Sequence, residues 1–276
     1  MLLVRVLGPT AVTLPDGGEL DLGARRHAEV LALLAAQPGR AVPSAVLADQ
    51  VWRGAPPAAA ATTLQGYIAR LRRTLEPGRP GAASSCIVTV CEGYRLRVDT
   101  DATRFEADLG RARELADDDP AQAARLLDAA LATWRGPAFA DVRDVDAVVP
   151  EAARLDELHV SALELRGHTL VAAGRDDEAV PTLRRLVAEH PLRERGPALL
   201  ATALYRAGRQ ADALAVLRDL RERLVEELGV DPGPDVAALE RRLLHQDPTL
   251  LAATARTGAP STGTSPDRTS PTRIAD

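Results

Sequence analysis

The chain has 276 residues with 34 basic and 39 acidic side chains, a formal net charge of −5, and enough length for two domains with buried cores. Lysine and asparagine are both absent, so a P-loop lysine, a lysine Schiff base and N-glycosylation are excluded. Aromatic residues make up only 3%, and the Ala-, Leu- and Arg-rich remainder favours helices over β-sandwiches.

Absence of both Lys and Asn codons reads as a GC-rich genome rather than a functional demand. Two cysteines, Cys86 and Cys91, do not make a disulfide framework, and the start MLLVRVLGPT lacks a signal peptide's apolar run. No apolar stretch approaches the roughly 20 residues that span a membrane, so a cytoplasmic location is expected. Charge is uneven: residues 1–98 hold 11 Arg against 7 acidic residues, a net +4, which leaves 99–276 at −9. A small basic domain points to a polyanion.

The first segment alternates. LLVRVLG (2–8), PTAVTLP (9–15) and ELDLG (19–23) read as short antiparallel strands around a PDGG turn. ARRHAEVLALLAAQPG (24–39) reads as a helix stopped by Pro38 and Gly39. Pro43 and Ser44 open a shorter helix that ends at Trp52. After a loop with two prolines comes TTLQGYIARLRRTL (62–75), in which Leu64, Tyr67, Ile68, Leu71 and Leu75 share one stripe about 100° wide. Gln65, Gly66, Ala69, Arg70 and Arg73 fill the opposite side, and Arg72 sits on the stripe's flank. A Pro/Gly/Ser loop leads to CIVTVCEGYRLRV (86–98), a hairpin signal around Glu92 and Gly93.

From about Thr103 the pattern is helical almost to residue 246, with breaks at Asp117–Pro120, Arg135–Pro137, Gly174, His190–Pro191, Gly208 and Gly229–Pro234. Leu165, Leu170, Ala173, Gly174, Arg175, Ala179, Leu183, Arg184 and Leu186 recur 34 residues later, from Leu199 to Leu220. That period, with small residues at the helix turn, is the tetratricopeptide signature, and each pair needs a neighbour to cover its apolar face. The segment 113–134 reads as a degenerate earlier pair. Composition beyond Leu251 collapses to Ala, Thr, Ser, Gly, Pro and Arg, so 252–276 is expected to be a disordered tail.

A helix-turn-helix reads DNA with its second helix in the major groove, anchored by an apolar stripe and polar on the outward face. The helix at 62–75 meets that requirement. Thr62 and Thr63 are expected to cap it and turn backbone N–H groups towards phosphate. Arg70 and Arg73 project from the free face, where an Arg fork matches guanine O6 and N7. Alone, this helix also fits a solvated surface; a preceding short helix, a following hairpin and a net positive domain together make a winged-helix constellation.

VLGPTAVTL, the short helix ending in VW, TTLQGYIARLRRTL and GYRLRV strongly resemble the OmpR/PhoB-type winged helix of the Streptomyces antibiotic regulatory protein family. WRGPAFADV (134–142), EAARLDELHVSALE (151–164), the run 189–234 and LLHQDPTL (243–250) resemble that family's bacterial transcriptional activator domain. The likeness covers roughly residues 2–250 and implies a mainly α protein. Its expected parts are a winged helix-turn-helix (1–98) of α+β type, an all-α tetratricopeptide-like domain (103–247) and the tail.

The resemblance further implies a DNA-binding activator of a biosynthetic gene cluster, with no cofactor and no enzymatic activity. Such proteins bind tandem direct repeats near the promoter −35 region, usually two copies together, and recruit RNA polymerase holoenzyme with its sigma factor. A dimer at least on DNA is expected. Carried over by position, Arg70 reads bases, with Gln65, Gly66 and Tyr67 in the same contact segment. Arg72 holds phosphate, and the indole of Trp52 reaches the DNA backbone. Tyr67, at the edge of the buried stripe, is equally readable as a core aromatic. No ATPase domain follows, which suggests the family's short form.

Three departures stand out. The family's wing commonly reads Thr-Arg-Pro-Pro-Gly-Tyr; here Thr89-Val90-Cys91-Glu92-Gly93-Tyr94 puts Val90 in place of the minor-groove arginine, so Arg95 or Arg97 would have to substitute. The loop at 76–85 is longer than usual. His27 stands where an arginine is common, with Arg25 and Arg26 still available for phosphate.

Other chemistry finds little support. The five histidines form no HxxxH or HExxH, the cysteine spacing matches no zinc site, and no GxGxxG or GxSxG occurs. Residues 117–119 are three consecutive aspartates ahead of a helix start, where the macrodipole favours them. The rival function is a helical-repeat adaptor whose winged helix binds protein rather than DNA.

Overall fold

The structure, a computed structural model, describes residues 2–77 and 84–255, excluding the side chains of 252–255. Strands β1 (Leu3–Arg5) and β2 (Ala11–Thr13) pair antiparallel, Val4 opposite Val12. Both valines are fully buried between half-exposed neighbours, the alternation of a one-sided ribbon. The third expected strand, ELDLG, shrinks to a single bridge between Thr13 and Glu19. Asp21 accepts the Gly23 N–H at 2.7 Å, and this Asx turn bends the backbone away before a ladder can form.

Next come α1 (Arg25–Ala35), β3 (Ala41–Pro43), α2 (Ser44–Val51), α3 (Ala60–Leu75), β4 (Ile87–Val90) and β5 (Gly93–Leu96). The last three strands form an antiparallel sheet in the order β3-β5-β4. Strand β3 is a departure from the sequence reading, which has no strand there. Its three residues are too few for alternation to show, and pairing of Val42 with Tyr94 makes it a strand. Gly93 permits that pairing, because a Cβ there would run into the Val42 carbonyl oxygen.

Seven helices follow among the described residues: α4 (Asp101–Leu115), α5 (Pro120–Leu131), α6 (Val149–Ala172), α7 (Asp176–Glu189), α8 (Arg195–Arg206), α9 (Gln210–Leu228) and α10 (Pro234–Leu244), then a 3-10 turn at Pro248–Ala255. The 34-residue repeat is the pairing of α6–α7 with α8–α9. Leu170 and Leu204, Ala179 and Ala213, Leu183 and Leu217, and Leu186 and Leu220 are all buried. Gly174 (φ 71°) and Gly208 (φ 74°) make the same left-handed turn, each followed by an Arg N–H bonded to Leu170 or Leu204. Asp119 caps α5 by accepting the Gln122 N–H at 2.9 Å, so the aspartate run serves the helix start.

The break expected at Arg135–Pro137 is part of a much longer segment. Residues 132–148 are not helical but strap the two halves together. Arg135 and Phe139 donate backbone N–H to the carbonyls of Leu7 and Val6, both at 2.8 Å, and Ala140 to that of Gly8 at 3.1 Å. Asp101, 3% exposed, accepts the Val6 N–H at 2.7 Å and the Leu7 N–H at 3.2 Å. One buried cluster therefore runs from Val4 through α4 and the strap to Leu165, across the segment 98–103 where the sequence divides. A second runs from Ala124 of α5 and another face of α6 to Leu250. Of the tail expected at 252–276, residues 252–255 continue the 3-10 turn; the rest of it and residues 78–83 of the longer loop lie outside the described residues.

Candidate nucleic-acid interface

Helix α3 is held to the domain by Leu64, Ile68, Leu71 and Leu75, each no more than 3% exposed. The turn of Ala60 joins them, so the buried stripe is the one the periodicity draws. At 100° per residue Tyr67 and Arg72 fall on opposite edges of that stripe, about 140° apart. Thr62, Gln65, Gly66, Ala69, Arg70 and Arg73 make up the exposed face. Gly66 has open space beyond its Cα, which keeps the face slim at its centre.

The start of the helix differs from expectation. Its N-cap is Ala59, with no side-chain cap, and the Thr63 N–H already bonds the Ala59 carbonyl at 3.0 Å. Thr62 and Thr63 therefore lie inside the first turn rather than capping it. The loop's Pro57 carbonyl, which takes the Ala60 N–H at 2.9 Å, begins the helix one turn early.

One edge of α3 is aromatic. Trp52, the C-cap of α2, stacks on Tyr67 with centroids 6.2 Å apart. His27 meets the same ring edge-on at 5.2 Å. Tyr67 is half-buried and packs against the core, so its ring is a packing element with one side open. The other edge is the wing. Arg72 donates from Nε to the Ile87 carbonyl and from Nη2 to Thr89 Oγ1, both at 2.9 Å, and its guanidinium lies 5.8 Å from the centre of the Tyr94 ring. Arg72 thus braces β4 against α3, with two of its donors already engaged.

Arg70 is exposed and forms no ion pair among the described residues; Arg73 reaches back only to the Ala69 carbonyl at 3.4 Å. Both forks are available to a ligand. In β5, Arg95 pairs with Val88 and Ala41, and alternation sends its side chain to the face opposite Thr89 and Tyr94. It therefore points away from α3, which places it poorly as a substitute for the missing wing arginine. The hairpin's tip is Cys91 and Glu92, both exposed, with Cys91 at φ 36°.

Arg25 is engaged as well. Its Nε bonds Glu29 Oε1 at 3.0 Å, and its Nη2 bonds Asp144 Oδ2 at 2.8 Å. Glu29 is 2% exposed and also receives Arg26 Nη1 at 2.7 Å and Arg53 Nη2 at 3.3 Å. Arg53 was not visible as a site residue from sequence, because Asp144 lies 91 positions away. Its guanidinium pKa is raised, first through the hydrogen bond to Asp144. The Asp144 carboxyl is correspondingly lowered, first through the same bond.

Residues 100–244 match the family described as Bacterial transcriptional activator domain, and residues 17–96 the family described as Transcriptional regulatory protein, C terminal. The chain is 37% identical over 257 residues to the transcriptional regulator RedD of Streptomyces coelicolor, covering 91% of this chain and 73% of that one. It is 38% identical over 255 residues to the regulatory protein DnrI of Streptomyces peucetius, covering 89% and 93%. Among solved structures, Mycobacterium tuberculosis EmbR in complex with a low-affinity phosphopeptide aligns with a TM-score of 0.83 and 33% identity, over 92% of this chain and 69% of that one.

Proposed function

The chain belongs to the Streptomyces antibiotic regulatory protein family of transcriptional regulators, and on that premise we propose that it activates a secondary-metabolite gene cluster by binding tandem direct repeats near the promoter −35 region. The observation that carries this reading is the outer face of α3. Gln65, Gly66, Ala69, Arg70 and Arg73 are exposed on a helix whose opposite stripe is buried. An aromatic edge and a wing brace hold that helix from both sides. A rigid, slim helix with free arginine forks is what major-groove readout requires. Two copies side by side would occupy the repeats, and the helical half, with the concave surfaces that stacked repeats offer, would contact RNA polymerase holoenzyme.

The test is a footprint on the promoters flanking the protein's own gene, repeated across a salt series. Two protected direct repeats one helical turn apart, lost as salt rises, support the proposal. For about four to six phosphate contacts per subunit, affinity falls with a log–log slope of roughly −0.9 per contact. No protection at low salt would overturn it.

A further inference from the structure

We propose that Arg25 and Arg53 form a phosphate-binding pair beside the reading helix, and that Asp144 fills it in the free protein as a stand-in for a DNA backbone phosphate. This rests on the DNA-binding reading above. The Nη2 atoms of both arginines reach the same oxygen, Asp144 Oδ2, at 2.8 Å, and Arg25 Nη2 also reaches Oδ1 at 3.0 Å. Two guanidinium forks converging on one oxyanion is the geometry of an anion site.

The pair is set from behind. Buried Glu29 holds Arg25, Arg26 and Arg53 by 3.0, 2.7 and 3.3 Å contacts. Arg26 Nη1 also donates to the Val51 carbonyl, and Arg53 Nη1 to that of Gln50 at 2.7 Å. The Arg53 backbone stands at φ 54°, a left-handed conformation that a residue with a Cβ keeps only when its surroundings fix it. Three guanidiniums thus face Glu29 and Asp144, and the cluster becomes more positive when Asp144 leaves.

Asp144 is free to leave. It is 55% exposed, and its partners Arg25 and Arg53 are 63% and 36% exposed. Water screens such pairs to little net worth, so a phosphate can replace the carboxylate at small cost. The site also stands where a backbone would pass. Arg53 follows Trp52 and Arg25 precedes His27 by two positions, and both rings flank Tyr67 on one edge of α3. The wing flanks the other edge through Arg72. A major groove that receives a helix places one phosphate backbone on each side of it.

Full-length Asp144→Asn is compared with the wild type for binding a mixed-sequence linear duplex across a sodium chloride series. The variant is expected to bind several-fold tighter at low salt with an unchanged log–log slope, because the same phosphate is engaged in both proteins once Asp144 has moved aside. Adding Arg25→Gln and Arg53→Gln to it should remove that gain and make the slope shallower by up to about 0.9, the increment for the one phosphate lost. Unchanged affinity would overturn the proposal; so would weaker binding with a wild-type melting temperature, which would make Asp144 an orienting group. If Asp144→Asn fails to fold, the Arg25→Gln/Arg53→Gln pair alone decides, since an unchanged slope there overturns it. Wild-type protein without salt-dependent duplex binding would remove the DNA reading itself, and this inference with it.

Discussion

Arg70 and Arg72 stand two residues apart on α3, and their surroundings give their guanidinium groups different work. Arg70 meets solvent, whereas Arg72 is half-buried and bonded to Ile87 and Thr89 of the wing. Arg70→Ala is therefore expected to leave the melting temperature unchanged, to cost about 1–3 kcal/mol of binding and to relax selectivity at one base position. Arg72→Ala is expected to lower stability by about 1–2 kcal/mol, the loss of its brace, and to weaken binding to all sequences alike. Thermal melts alongside binding to duplexes carrying single base changes check both. An Arg72→Ala variant that melts normally yet binds weakly would make Arg72 a phosphate ligand rather than a brace. Helical periodicity alone places Leu64, Ile68, Leu71 and Leu75 inside and Arg70 outside, because those are properties of one local helix. What periodicity does not carry is the partner of each flank residue. Ile87 is 15 positions from Arg72, and Asp144 is 119 from Arg25.

At the scale of elements, the wing is fastened at two points besides Arg72. Gly93 lets β5 close on β3, and Glu76 fastens the entry to β4. The Glu76 carboxylate accepts the Ser84 hydroxyl, the Ser85 hydroxyl at 2.6 Å, the Ser85 N–H at 2.9 Å and the Cys86 N–H at 3.1 Å. Burial pushes its pKa up, but the combined bonds from Ser84, Ser85 and Cys86 win and hold it at about 2. A carboxyl lowered from 4.5 to about 2 on folding stabilises the protein above the higher value and loses that contribution as pH falls towards the lower. Glu76→Gln is accordingly expected to melt lower than wild type at neutral pH and to close the gap as pH is taken from 5 towards 2. A gap independent of pH would refute the ionised brace. Elements made by local pattern, such as α1, α3 and the repeat helices, were legible in the sequence. Strand β3 and the strap at 132–148 were not, since each owes its shape to distant backbone partners, Tyr94 for one and Val6 to Gly8 for the other.

In the whole molecule, helix α6 belongs to both buried clusters. Leu155, Ala162 and Leu165 face the cluster that includes the winged helix, while Val160, Leu163 and Leu170 face the repeat cluster. The sequence pattern divides the chain near residue 100 because charge and periodicity both change there. Packing does not follow that division, since buried Phe105 and Leu109 of α4 share a cluster with Val4 and Val30. Asp101 adds a polar tie across the same point. Its carboxyl pKa is raised, burial outweighing the Val6 and Leu7 N–H bonds, and burial likewise lowers its neighbour Arg135. A helix shared by two cores couples their unfolding, so the chain is expected to melt in one transition. Leu155, fully buried, provides the test: Leu155→Ala should cost about 2–5 kcal/mol. The loss should shift tryptophan fluorescence, which reports Trp52 and Trp134 in the first cluster's surroundings, together with helical circular dichroism, to which the repeats contribute most. If the fluorescence transition moved and the dichroism transition stayed, the winged helix and the repeats would be separate folding units. A signal received by the helical half would then have no rigid route to α3. Coincident shifts would mean that a load on the repeats reaches the reading helix through α6 and the strap.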